Sequence, residues 1–374
     1  MQTNLSILIN NFADLHVVVI GEAMLDSYLI GYSDRLSQEA PVPVVTLSER
    51  QNFPGGAANT AVNLRSLGAQ VSFLSVIGDD WEGSLLRRSL EEHRIATDGV
   101  LTQASRSTLT KHRLIAASQM LLRFDQGSTN AVGLEAEQGL IDCLCNLFHH
   151  CHALVISDYG YGILTPRVMQ AIAHLQSHSP QLIVADAKNL ARYRNVGVTV
   201  VKPNYEEALR LLPAHNPSEF TTQEMAGTRA DYIASQGQAI LDITGAQMAV
   251  VTLDAEGAVV LQRDRPPEHI DVHPLAAGRS PHLYASTTGA GDTFISALTL
   301  AIAAGVPVTI AAEVATAAAA IVVGKDGTAT CSAEELSRLS QTQSVQIPRG
   351  RRHDPTRPLE SGGKHSLYQI GCDR

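Results

Sequence analysis

Short apolar runs, each closed by glycine or a polar residue, recur along the chain at 15–21, 153–158, 182–186, 199–201, 249–253 and 258–260. They are rich in Val and Ile and lack in–out alternation, as expected of strands covered on both faces of a parallel sheet. The run at 15–21 is predicted to be the first central strand. Residues 165–177 between two such runs carry a helical pattern, and 295–304 and the Ala-rich 311–323 read as apolar helices. The alternation predicts an α/β fold with a central, mostly parallel sheet and helices on both faces. Two regions break the rhythm. Residues 27–50 contain Tyr28, Leu29, Ile30 and the run 41–46, strand-like pieces too brief for a βα unit, while 108–116 and 119–125 flank Ala117-Ser118 as a hairpin would. These segments, about 27–50 and 105–125, are expected to form a small β-sheet lid. Its apolar face would be exposed on a single chain, which predicts pairing with the same sheet of a second copy.

The C-terminal ends of parallel strands are where open α/β sheets place their ligands. Asp26 follows the first strand, and Asp158, Asp186 and Lys188 follow the strands at 153–158 and 182–186. Asp26 could hydrogen-bond sugar hydroxyls or be a solvated turn carboxylate. In Thr287-Thr288-Gly289-Ala290-Gly291-Asp292-Thr293, glycines on both sides of Ala290 let the backbone turn its N–H groups toward one point, and the helix that follows adds its free amides and dipole. That is an anion hole with a carboxylate beside it. On these residues alone Asp292 reads either as a base or as a helix cap. Asn204 and Glu207 follow a strand and Pro203 with the spacing of a capping box, or of a phosphate-side motif.

Composition narrows the partners. With 28 basic against 37 acidic residues, a net charge of −9 and 44% apolar residues over 374 positions, the chain can build a large core and is a poor match for nucleic acid or an anionic membrane. The first residues lack a basic signal-peptide region and no apolar run is long enough to span a bilayer, so a cytoplasmic protein is expected. Cys143, Cys145, Cys151, Cys331 and Cys372 lack paired metal-ligand spacing and read as reduced thiols. Metal binding by His149-His150-Cys151-His152 is disfavoured, because adjacent residues cannot share one face. Residues 1–340 are expected to form the domain. The remainder, 341–374, is polar and basic, with Arg349, Arg351, Arg352 and Arg357, and reads as a flexible tail.

The stretch 287–293, together with Pro54-Gly55-Gly56-Ala57-Ala58-Asn59, Leu67-Gly68-Ala69 and Ile77-Gly78-Asp79-Asp80, resembles the two signatures of the ribokinase/phosphofructokinase-B family of carbohydrate kinases, in the family's order. The resemblance spans roughly residues 14–340. It implies a ribokinase-like fold, ATP and Mg2+ as cofactors, and Asp292 as the base beside an anion hole of Gly289, Ala290 and Gly291. It further implies sugar contacts from Asp26, Gly55, Gly56 and Asn59, with Asp158 and Asp186 at the substrate side. Nucleotide contacts would come from Lys188, Asn204, Glu207, Thr252 and Gly257, with Glu207 reaching magnesium through water. The runs 22–28, 34–45 and 110–113 are similar to the branch that phosphorylates D-glycero-β-D-manno-heptose 7-phosphate at its anomeric hydroxyl. Lys111, Arg113 and Arg123 then become candidates for the distal phosphate, although basic residues on short strands also serve as solvated edge protection. The chain departs from the family in having Ser286 where an Asp helps bind a monovalent cation, and Glu22 where Asp is usual. With 374 residues and no H-x-G-H motif among them, the nucleotidyltransferase fused to some heptose kinases is not expected here. Another sugar, sugar-phosphate or nucleoside kinase, or a non-catalytic sugar-phosphate-binding regulator, are the alternatives; a Rossmann dehydrogenase lacks its G-x-G-x-x-G after the first strand.

Overall fold

A computed structural model describes residues 5–117, 119–212, 228–275, 289–323, 325 and 329–342. From the N-terminus, α1 (Leu5–Asn10) leads into β1 (His16–Gly21), β2 (Ala23–Leu36), β3 (Pro43–Gly56), α2 (Ala57–Ser66), β4 (Gln70–Ile77) and α3 (Trp81–Glu92). Then come β5 (Val100–Thr102), β6 (Leu109–Ala116), β7 (Gln119–Gln126), α4 (Leu134–Phe148), β8 (Ala153–Asp158), α5 (Pro166–His178) and β9 (Leu182–Ala187). β10 (Val200–Val201), α6 (Tyr205–Leu211), α7 (Arg229–Ser235), α8 (Gly237–Thr244), β11 (Met248–Thr252), β12 (Ala258–Gln262) and β13 (Glu268–Ile270) follow. The described chain closes with α9 (Ala290–Ala303), α10 (Val308–Val322) and α11 (Ala333–Thr342).

The main sheet has the order β13-β12-β11-β10-β9-β8-β1-β4-β5. It is parallel from β11 to β5, with β12 and β13 antiparallel at one edge. β1 lies inside it, and its unbroken Val-Ile run divides its side chains between two cores. Val17 and Val19 join α1, α2, α9 and α10 on one face, whereas Val18 and Ile20 join α4, α5 and α8 on the other. This explains why the strands lack alternation: both faces are dry.

The second sheet, β3-β2-β6-β7, stands apart. Instead of the short pieces expected at 27–50, it contains two 14-residue strands paired antiparallel. β2 begins one residue after β1 ends and carries its direction out of the main sheet, so its inner half is buried and its outer half exposed. The polar outer half, with Ser33, Asp34, Ser48 and Glu49, concealed the strands from sequence. The β6–β7 pair forms as expected, turning through Ala117 at φ 48°; Ser118 lies outside the described residues.

Candidate active site

α9 opens on Gly289, whose φ of 90° is left-handed and open chiefly to glycine. Asp292 is therefore the third residue of α9 and not its cap. The first amides of α9 have no carbonyl within the helix to bond and point into the crevice. Thr287 and Thr288 of the same motif, and Ser286, lie outside the described residues.

The Asp292 carboxylate is held by α2. Asn59 Nδ2 donates to Oδ2 at 2.7 Å, and the hydroxyls of Thr60 and Tyr159 approach Oδ1 at 3.3 and 3.4 Å. Asn59 is oriented in turn by Asn63 Nδ2, which donates to its side-chain oxygen at 3.1 Å, while Thr293 of α9 donates to Asn63 Oδ1 at 2.7 Å. The N-terminal turns of the two signature helices are thus bonded to each other. Burial pushes the Asp292 carboxyl up to about 6, against the pull of Asn59 and Lys202 and with the push of Asp186. A carboxylate in that range is a competent base near neutral pH.

On the lid side, Asp26 is buried in β2 and pairs with Arg113 of β6 at 2.5 Å. A Cβ at Gly55 would fall 2.3 Å from Asp26 Oδ2, so that glycine makes room for the carboxylate. Gly56, at φ 59°, caps α2 and turns the chain from lid to helix. Arg113 and Arg123 are direct cross-strand partners, as are Lys111 and Asp125, and Asp26 and Lys111. Like charges placed opposite each other are unfavourable in the absence of an anion. Arg123 is paired with Asp125 at 2.6 and 2.9 Å, whereas Lys111 makes no ion pair among the described residues, and desolvation lowers its pKa.

On the main-sheet side, a crevice of about 630 Å³ runs from α9 past Asp186, Lys188, Asn204, Thr252 and Gly257 to Thr316 and Ala320 of α10. Asn204 and Glu207 form the capping box of α6, and Glu207 also takes the Lys188 ammonium at 2.6 Å. Lys188 and the Asn204 N–H, whose bonds favour the ionised form, hold the Glu207 carboxyl below its usual range despite desolvation. Gly257, at φ 87°, could not carry a Cβ, which would fall 2.0 Å from the Ile270 carbonyl oxygen. Asp158 lines the crevice, but its carboxylate is bonded to the Tyr193 hydroxyl at 2.6 Å, the Gly160 N–H at 2.8 Å and Arg192 at 3.4 Å. Gly324 and 326–328, which follow the Ala-rich 311–323 in sequence, lie outside the described residues.

Lys202 and Tyr159 at the crevice have no counterpart in the sequence reading, whereas Glu22 stands there as the departure from the family's Asp. Lys202, 4% exposed, bonds Asp186 at 2.9 Å; against desolvation, Asp186 and then Glu207 and Asp292 hold its ammonium above the usual range. Its place just before Pro203-Asn204 was the available signal. Tyr159 reaches Asp292. Glu22 is fully buried, accepts the N–H groups of Tyr159, Tyr161 and Ile163, and is raised to about 7 by burial and then by Asp158.

The chain matches the pfkB family of carbohydrate kinases over residues 14–335. It is 32% identical over 368 residues to the bifunctional protein HldE of Desulfatibacillum aliphaticivorans, covering 96% of this chain and 71% of that protein. It is 36% identical over 326 residues to the HldE of Citrifermentans bemidjiense, covering 86% and 62%. The chain thus spans roughly two thirds of the length of these relatives. Arabidopsis thaliana ribokinase, solved with ribose and ATP, superposes with a TM-score of 0.65 at 17% identity, covering 87% of this chain and 99% of its own. Escherichia coli phosphofructokinase-2, solved with substrates and products, gives 0.68 at 19%, covering 88% and 99%. The paired signature helices, the buried carboxylate in the first turn of α9 and the two-sheet architecture belong together: the chain is a member of the pfkB family of carbohydrate kinases, ribokinase-like in fold, and transfers phosphoryl groups to a sugar hydroxyl.

Proposed function

We propose that the protein uses MgATP to phosphorylate the anomeric hydroxyl of D-glycero-β-D-manno-heptose 7-phosphate, giving the 1,7-bisphosphate. The observation that carries the reading is Asp292, desolvated and held by Asn59 next to the free amides of α9. Asp292 takes the proton from the sugar hydroxyl as its oxygen attacks in line, and the amides of Gly289, Ala290 and Gly291 stabilise charge on the transferring group. Asp26 and Asn59 orient the sugar. The lid cations Lys111, Arg113 and Arg123 take the 7-phosphate, which relieves the apposition of the two arginines. The likeness to HldE and the heptose-kinase pattern of 34–45 support this choice of sugar.

Asn204, Thr252 and Gly257 face the nucleotide, and the small residues of α10 leave room for a flat base. Each Glu207 oxygen already has a partner, Lys188 for one and the Asn204 N–H for the other, so the side chain would hold Mg2+ through water. The metal ion supplies neutralisation of the phosphate charge. No described helix is long and apolar enough to cross a membrane, in keeping with a cytoplasmic site of action. The exposed apolar side chains of the lid sheet support a homodimer.

The test is ADP release with MgATP across heptose 7-phosphate, fructose phosphates, ribose and adenosine, for wild type and Asp292→Asn. Heptose-phosphate-dependent release that falls at least about a thousandfold in the variant is expected, because both the proton acceptor and its charge are lost. Preference for another sugar would discard the heptose assignment, and an active variant would discard the base.

A further inference from the structure

Tyr159 stands where the two halves of the crevice meet, and no step above uses it. Its phenolic oxygen lies 3.4 Å from Asp292 Oδ1. Lys111 Nζ, from the lid, lies 5.2 Å from its ring centre, and Lys188 Nζ, just after β9, lies 5.8 Å from it. The backbone behind it is clamped: the buried Glu22 accepts the N–H of Tyr159 at 2.7 Å, of Tyr161 at 3.1 Å and of Ile163 at 3.3 Å. Gly160, at φ 80°, lets the turn double back onto Asp158. A side chain on a turn held in this way has little freedom to swing its hydroxyl away from Asp292.

We propose that Tyr159 is a positioning residue for phosphoryl transfer, its hydroxyl fixing the Asp292 carboxylate and its ring separating the sugar-side Lys111 from the nucleotide-side Lys188. The proposal rests on Asp292 being the proton acceptor. A carboxylate offers about four lone-pair directions. Asn59, Thr60 and Tyr159 occupy three, leaving one for the incoming hydroxyl. The phenol is a lasting donor, because burial and then the carboxylates of Asp292, Asp186 and Asp26 hold its own pKa well above the ordinary value. The charged groups facing Asp292 are Asp186 from β9 and Lys202 after β10, while α2 presents the neutral Asn59 and Thr60.

Tyr159→Phe keeps the ring and removes the donor. With MgATP and heptose 7-phosphate, kcat should fall roughly tenfold while both KM values change less than about threefold, a loss confined to the transition state. Losing a donor to the ionised form raises a carboxyl pKa, so the acidic limb of kcat/KM should move up by about half a pH unit. The carboxyl 13C shift of Asp292, assigned by its absence in Asp292→Asn, follows the same titration without substrate and should move in the same direction. An unchanged limb and an unchanged 13C midpoint would overturn the proposal, including where kcat falls together with the melting temperature. The two readings fail separately. Asp292→Asn at wild-type rate would remove the base and the proposal built on it, whereas an inactive Asp292→Asn beside an unaltered Tyr159→Phe would remove only the tyrosine's part.

Discussion

In its proposed role Asp292 combines two demands on one side chain, since the desolvation that suits it to accept a proton also makes its ionised form costly to the fold. Its folded pKa of about 6 lies above the ordinary carboxyl value, so kcat/KM should fall as pH drops through that value, tenfold per unit below it. The stability linkage has the opposite sense. The folded state keeps a proton that the unfolded state has released, so ionisation costs stability as pH rises from 3.8 to about 6, and the cost is complete above that. Asp292→Asn should therefore melt about 2–4 °C higher than wild type at pH 8, a gain that vanishes near pH 4, by calorimetry. Gly55→Ala makes a different demand: its Cβ would displace the Asp26 carboxylate, so KM for the sugar should rise severalfold with KM for ATP unchanged. Asp292, Asn59 and Asp26 stand out in the sequence because each sits inside a local motif, and the structure brings Asn59 to Asp292. The partner amides of Glu22 could not be read from sequence, because they lie 137 to 141 residues away, and Lys202 was passed over because a lysine is ordinarily exposed.

At the level of elements, α6 carries a motif that caps a helix and reaches the crevice. Asn204 and Glu207 cap the helix reciprocally, so the structural reading of the spacing is met, and Glu207 also binds Lys188 at the crevice wall, where the proposed metal role would place it. Glu207→Gln keeps an oxygen for the Asn204 N–H and removes the charge. Its melting temperature should stay within about 2 °C of wild type, the loss of a half-exposed ion pair being small, while the Mg2+ concentration for half-maximal rate rises severalfold. Equal losses in stability and in metal response would make the residue a cap alone. Six strands of the main sheet, β1 and β8 to β12, were legible because burial on both faces leaves a continuous apolar run. The full length of β2 and β3 was not, since their outer halves are largely exposed in a single chain and mix polar with apolar residues.

Taken as a whole, the molecule has a dry main body and a lid whose outer surface is apolar. Tyr32, Leu36, Val42, Leu47, Met120, Leu122 and Phe124, each at least 42% exposed, all belong to the lid sheet or its β2–β3 connection. A second copy laid on this surface would remove it from water, and a Leu122→Asp, Phe124→Arg double variant should sediment as a monomer at concentrations where wild type sediments as a dimer. A wild-type monomer at about 10 µM, a concentration at which a stable interface of ordinary size is occupied, would reject the dimer. The three-layered body, a sheet between two sets of helices, followed from the rhythm of the sequence, but the reach of the lid depended on pairings between distant strands. The groups proposed to choose the sugar stand mainly on that separate sheet, and those proposed to handle the nucleotide stand on the main one. What is phosphorylated and how it is phosphorylated are therefore written in different parts of the gene, so drift in one can create a new specificity while the chemistry is inherited intact.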